Sequence, residues 1–181
     1  MRTPVPPEPF KYDARTILLH WSTVGLVVTL WILGQLLDEL GDEGTLRMAA
    51  RSVHITLGLV LAAVFVARMA WRMSSGTRKP QPDPGLAGSA ARWAHFGLYL
   101  LLATVLVLGL VLEWMRGDSM FGLFRITQFD KPIHDLSEHV MDVHGLAADV
   151  LLILAGLHAL GALVHHFVLR DGVLLRMLSR R

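Results

Sequence analysis

The sequence contains no cysteine. That absence excludes a thiolate-held iron–sulfur cluster, a covalently attached haem, a structural disulfide and a cysteine nucleophile. Charge is scarce as well: Asp, Glu, Lys and Arg make up 18% of the chain, where a soluble domain carries about a quarter. So little charge, beside 53% hydrophobic residues and a mean hydropathy of +0.48, rules out an ordinary water-soluble globule. The length of 181 residues suits one membrane domain over 1–181, because four spans of about 20 residues put roughly 80 residues in lipid. No nucleic-acid partner is expected.

What the sequence does hold is long apolar runs and nine histidines. The runs predict four spans, at about 17–37, 54–71, 93–112 and 144–169. They are continuous rather than alternating, so they read as an all-α membrane four-helix bundle and not as barrel strands. The first run lacks a small-residue cleavage site and three more follow it, so it reads as a span and not as a leader. No internal repeat is visible. Trp71, Trp93 and Trp114 fall at span ends, where indole rings anchor at the headgroup level. Trp21, next to His20, is placed to pack against a cofactor.

Basic residues sort by connector. Twelve of the 17 lie in the N-terminal tail, around the second connector or in the C-terminal tail, which predicts that both termini face the cytoplasm. The proline-rich start (Pro4, Pro6, Pro7, Pro9) and the stretch 74–88 read as irregular chain. The longest connector, 113–142, mixes Phe121, Leu123, Phe124 and Phe129 with polar residues, as a segment lying on the outer face of the bundle would.

An ionisable side chain inside a span is a functional hypothesis by default. His20, His54, His95, His144 and His158 qualify; His165 and His166 lie near a span end, and His134 and His139 fall in the outer connector. His144 and His158 are 14 residues apart, which brings them within about 40° of one helical face and separates them by about 21 Å along the axis. His54 on the second span matches the depth of His144, and His20 on the first matches that of His158. Facing pairs of neutral imidazoles are how a b-type haem is held between helices. Gly58, Ala148, Gly161 and Ala162 leave room on the same faces. His165, seven residues after His158, competes with it as partner of His20, and His95 also lies at that depth. A single metal ion wants three or four ligands at one level instead, and an intramembrane histidine can simply hydrogen-bond a neighbouring helix.

In these residues the chain resembles the bacterial cytochrome b561 family, and within it the quinone-linked, superoxide-oxidising type. The likeness is carried by Ile17-Leu18-Leu19-His20-Trp21, by His54 through Gly58, by His95 with Tyr99-Leu100-Leu101, by His144 through Gly156-Leu157-His158 to His165-His166, and by Asp171 through Met177. The resemblance implies an inner-membrane cytochrome with two haem b groups held by His20, His54, His144 and His158. It also implies ubiquinone as electron acceptor and superoxide arriving from the periplasm. Arg15, Arg68 and Arg72 are candidates to pair the propionates of the inner haem, and Arg51 those of the outer one. Ten acidic residues face five basic ones in the outer connectors. Arg47, Arg51, Arg116, Arg125 and Lys131 can frame an entrance for an anion, whereas the acidic surplus suits docking of a basic electron-transfer protein. Asp149 reads either as a hydrogen-bonded carboxyl between helices or as a proton relay. Two other readings remain: an electron-carrier subunit of a dehydrogenase or of a periplasmic redox partner, and a non-redox metal or proton transporter.

Overall fold

The computed structural model describes residues 11–40, 44–74, 85–116, 119–120, 124–125 and 134–178. The proline-rich start, most of 74–88 and the aromatic part of the third connector, with Phe121, Leu123, Phe129 and Lys131, lie outside those residues. Four long helices carry the chain: α1 Ala14–Glu39, α2 Thr45–Ser74, α3 Leu86–Arg116 and α4 His134–Val164. A two-residue antiparallel pair, β1 Ser119–Met120 with β2 Phe124–Arg125, lies between α3 and α4. A π-helical turn, His165–Leu169, and a short α5, Leu175–Leu178, follow. Four helical stretches, Ala14–Glu39, Thr45–Ser74, Gly88–Arg116 and Asp135–Leu169, are long and apolar enough to cross a membrane. Helix α2 begins well before His54, and α3 and α4 take in both ends of what the sequence read as a 30-residue connector.

Helix α1 starts where Asp13 caps it. One carboxylate oxygen accepts from the Thr16 backbone N–H at 2.9 Å and the other from its hydroxyl at 2.6 Å, satisfying donors the first turn leaves open. The indole N–H of Trp71 also donates to Asp13, at 3.2 Å, which ties the end of α2 to the start of α1. Burial would raise the Asp13 carboxyl, but these hydrogen bonds outweigh it and hold it below the usual carboxylate range. At the other end Gly44, with φ of 150°, opens α2 in a conformation that side chains resist.

The packing runs in two hairpins. Helix α1 lies along α2 and α3 along α4, while contacts between the hairpins are sparse. Between them, at mid-bundle, sit the buried Leu61, Leu102 and Leu151, ringed by Leu26, Val27, Leu30, Phe65, Leu98, Leu101, Val105 and Leu106. Apolar side chains such as Ile32, Val66, Ile153 and Leu157 point outward. That inside-out distribution suits hydrocarbon as the solvent. The two chain ends meet: the Tyr12 N–H donates to the Arg176 carbonyl at 3.4 Å, and the Trp21 indole to the Met177 carbonyl at 3.0 Å.

Candidate haem sites

The histidines gather at two levels, with the leucine layer between them. Leu151 is seven residues from both His144 and His158, and Leu61 is seven from His54, so about 10 Å of helix separates each level from the layer.

At the level away from the chain ends, α2 presents His54 and α4 presents His144. Their ring centres are 6.4 Å apart. An iron with an imidazole nitrogen on each side, at about 2 Å, needs ring centres about 6 Å apart. Both Nδ1 atoms are buried; that of His54 lacks a hydrogen-bond partner among the described residues, which is costly for a histidine with no further role, and the His144 ring lies against the Val105 backbone. Glycines on the flanking helices admit the rings. A Cβ at Gly109 on α3 would lie 3.3 Å from Cε1 of His144, and one at Gly34 on α1 would lie 3.9 Å from Cε1 of His54. Nothing lies within 4 Å of a Cβ built at Gly58, one turn after His54. The residues present thus fit a haem b held between α2 and α4.

The level near the chain ends is built differently. His20, His95 and His158 are within electrostatic reach of one another. The rings of His95 and His158 are 5.0 Å apart between centres, and no such ring contact joins His20 to His158. His95 gives its Nδ1 proton to the Ala91 carbonyl at 2.6 Å, which leaves Nε2 as the nitrogen with a lone pair. Arg68 lies against His20, with a guanidinium nitrogen 3.2 Å from Nδ1, and its Cζ is 5.3 Å from the centre of the Tyr99 ring. Arg72 stacks on the same ring at 5.4 Å and donates to the Tyr99 hydroxyl at 3.3 Å. Arg15, by contrast, is spent on Trp71, 4.6 Å above its ring. Gly161 leaves open space beside His158. This level thus gathers three histidines, two arginines and open space beside His158.

His165 is engaged elsewhere: its Nδ1–H donates to the Asp171 carboxylate. That bond, aided by the Val173 N–H and the charge of Arg176, holds Asp171 below the usual carboxylate range. Asp149 accepts from the Trp31 indole N–H at 2.8 Å, across α1 and α4, a contact that belongs to the interhelical one of its two sequence readings. Trp21 bonds the C-terminal segment, and its ring stands edge-on to His20 at 5.5 Å between centres. Trp93 and Trp114 are exposed near helix ends, as headgroup anchors are. Arg51 shares the far end of the bundle with Arg47, Arg116 and Glu113. Among the described residues no three His, Asp or Glu side chains converge as a metal-ion site.

Sequence reasoning placed the histidines but missed Gly34, Gly109, Trp31 and Glu113. Gly109 had one visible signal, an isolated glycine in a run of bulky residues from Val105 to Val111.

Residues 11–180 match the family model described as prokaryotic cytochrome b561. A probable superoxide oxidase, CybB, of Yersinia pestis is 29% identical over 175 residues, covering 94% of this chain and 97% of that protein. Cytochrome b561 homolog 2 of Escherichia coli is 27% identical, covering 95% and 93%. Cytochrome b562 of Cereibacter sphaeroides is 28% identical, covering 94% and 96%. The apolar four-helix bundle, its histidine levels and this match over nearly the whole chain agree: the protein belongs to the prokaryotic cytochrome b561 family of haem b-binding membrane electron-transfer proteins.

Proposed function

We propose that the protein is a dihaem cytochrome b of the bacterial inner membrane that oxidises superoxide and reduces ubiquinone. The observation that carries this reading is the His54–His144 pair, two buried imidazoles from facing helices with ring centres 6.4 Å apart. His20 and His158 form the second ligand pair, with Arg68 and Arg72 as counter-ions to propionates and Arg51 in that role at the first. When bound, haem b supplies reversible one-electron chemistry. The chain does the rest. Helices α2 and α4 fix the imidazoles from opposite sides, Gly109 and Gly34 let α3 and α1 close over them, and the leucine layer keeps water from the midplane. With the basic termini in the cytoplasm, the His54–His144 level faces the periplasm and the His20–His158 level the cytoplasm. The net reaction takes one electron from each of two superoxide anions, releasing two dioxygen molecules. Ubiquinone takes up both electrons with two protons to form ubiquinol. The name of the Yersinia pestis relative supports this choice of donor.

A second reading keeps the cytochrome and changes the donor. Asp38, Glu39, Asp135, Glu138 and Asp142 are exposed at the end away from the termini, a surface that suits a basic electron-transfer protein or a dehydrogenase subunit. Purified protein mixed with superoxide and ubiquinone separates the two. Superoxide-dependent ubiquinol formation well above the uncatalysed rate is expected, and formation at the background rate transfers the role to the carrier reading.

A further inference from the structure

Asp149 is an ionisable side chain that neither histidine level uses. It lies on α4 five residues past His144, about 7.5 Å deeper along the helix axis, and two residues before Leu151 of the leucine layer. It is exposed on the outside of the bundle, where hydrocarbon is the solvent and a carboxyl is costly unless a partner meets it. One of its oxygens accepts from the Trp31 indole N–H at 2.8 Å, across the seam between α1 and α4. Among the described residues nothing donates to the other oxygen.

The seam opens onto lipid. Val28 and Ile32 on α1 and Leu146 and Ile153 on α4 are exposed around it, so a molecule that reaches Asp149 has to be apolar over much of its length. Gly145, one turn before Asp149 on the same face, leaves room, with nothing within 4 Å of a Cβ built there. Gln35, one turn after Trp31, is exposed as well and brings an amide donor and acceptor to the seam. Its neighbour Gly34 ties this place to the His54–His144 level, since a Cβ there would lie 3.9 Å from the His54 ring. An apolar setting with a few polar groups of defined direction is how small apolar ligands are oriented. The set offered here suits a ring with a hydroxyl to give and a carbonyl to be met: the open Asp149 oxygen accepts and the Gln35 amide donates.

We propose that Asp149, Trp31 and Gln35 form the docking site for the head group of a lipid-soluble quinone, in the seam between α1 and α4 beside the His54–His144 level. This rests on the quinone-linked reading above and gives its acceptor a place. Asp149 holds the quinol hydroxyl, Gln35 the quinone carbonyl, and Trp31 fixes the carboxyl from the opposite helix. The apolar tail lies along the exposed side chains of α1 and α4. The quinone then works next to the His54–His144 level and not at the end that carries the chain termini.

The test is photoaffinity labelling of the purified haem-loaded protein with an azido-ubiquinone, competed by decylubiquinone, together with decylubiquinone binding titrations of variants. Competed label within 28–35 and 145–153 is expected. Asp149→Leu weakens decylubiquinone binding by about tenfold, as loss of one hydrogen bond to a carboxylate does. Asp149→Asn, which keeps a polar partner for Trp31 and for the ring, changes it much less, and both variants keep the haem spectrum. Competed label confined to other segments overturns the inference and leaves the quinone-linked reading standing. Unchanged affinity in Asp149→Leu also overturns it, and a change in oligomeric mass in that variant then makes the seam a contact between protein chains. If Asp149→Leu loses haem, Gln35→Leu takes its place in the titration and the same results decide. Seam labelling without superoxide-dependent quinone reduction keeps the site and moves the donor to the carrier reading. Absence of any competed label removes the quinone-linked reading and this site with it.

Discussion

At the scale of single residues, the most exacting position is Gly109. A Cβ there would already stand 3.3 Å from the His144 ring, so Gly109→Ala forces a small shift and Gly109→Val a large one. The expected result for Gly109→Val is loss of one of two haems, seen as a roughly halved haem-to-protein ratio, whereas Gly34→Ala, with 3.9 Å to His54, keeps both. The three histidines near the chain ends make a second test. If His20 and His158 are the axial pair, His95→Ala retains two haems and His20→Ala retains one; the reverse pattern moves the site to His95 and His158. Depth and face, read from helical spacing, set His54 and His144 at one level because both depend only on helical rise and turn and on the order of spans. The crowding of His95 against His158 was not legible, since it depends on how α3 rotates about its own axis. Spacing within one helix says nothing of that rotation.

At the scale of elements, the helix starts and chain ends carry local chemistry that hydropathy alone does not reveal. Asp13 caps α1 and receives the Trp71 indole, so Asp13→Ala removes a cap and a tie between α1 and α2. A loss of about 1 kcal/mol is expected, measured as earlier thermal loss of helical signal. The sign of its pH dependence follows from the lowered carboxyl. Its stabilisation is fully present above the ordinary aspartate value, near pH 4, and is lost as pH falls through the lower folded value. Asp171, held down chiefly by His165, behaves with the same sign. Amide exchange at Thr16 and Val173, whose N–H groups these carboxylates accept, should rise in acid beyond the intrinsic exchange rate. Unchanged protection there would remove both carboxylates from the account. The spans themselves were legible because hydrocarbon demands long apolar helices. Their ends were not, since polar turns such as 45–53 of α2 and 134–143 of α4 continue the helix into the interface, where apolarity is no longer required.

At the scale of the whole molecule, two helical hairpins enclose a central leucine layer, with polar, nitrogen-rich levels above and below it. The four long helices are apolar enough to cross a bilayer, and the two histidine levels lie on either side of the leucine layer. The absence of cysteine now has a counterpart: no thiolate competes with the buried imidazoles for a haem. Buried imidazoles and glycines that admit their rings are mutually consistent features of a cytochrome, and the family match spans the same residues. Two haems per chain is the central expectation. The direct measurement is the haem-to-protein ratio of the purified protein, taken with its reduced-minus-oxidised spectrum. Two b-type haems per chain, falling to one in His144→Ala and to one in His158→Ala, is the predicted result; a ratio of one or less in the unmodified protein, or both haems kept in either variant, would contradict the account.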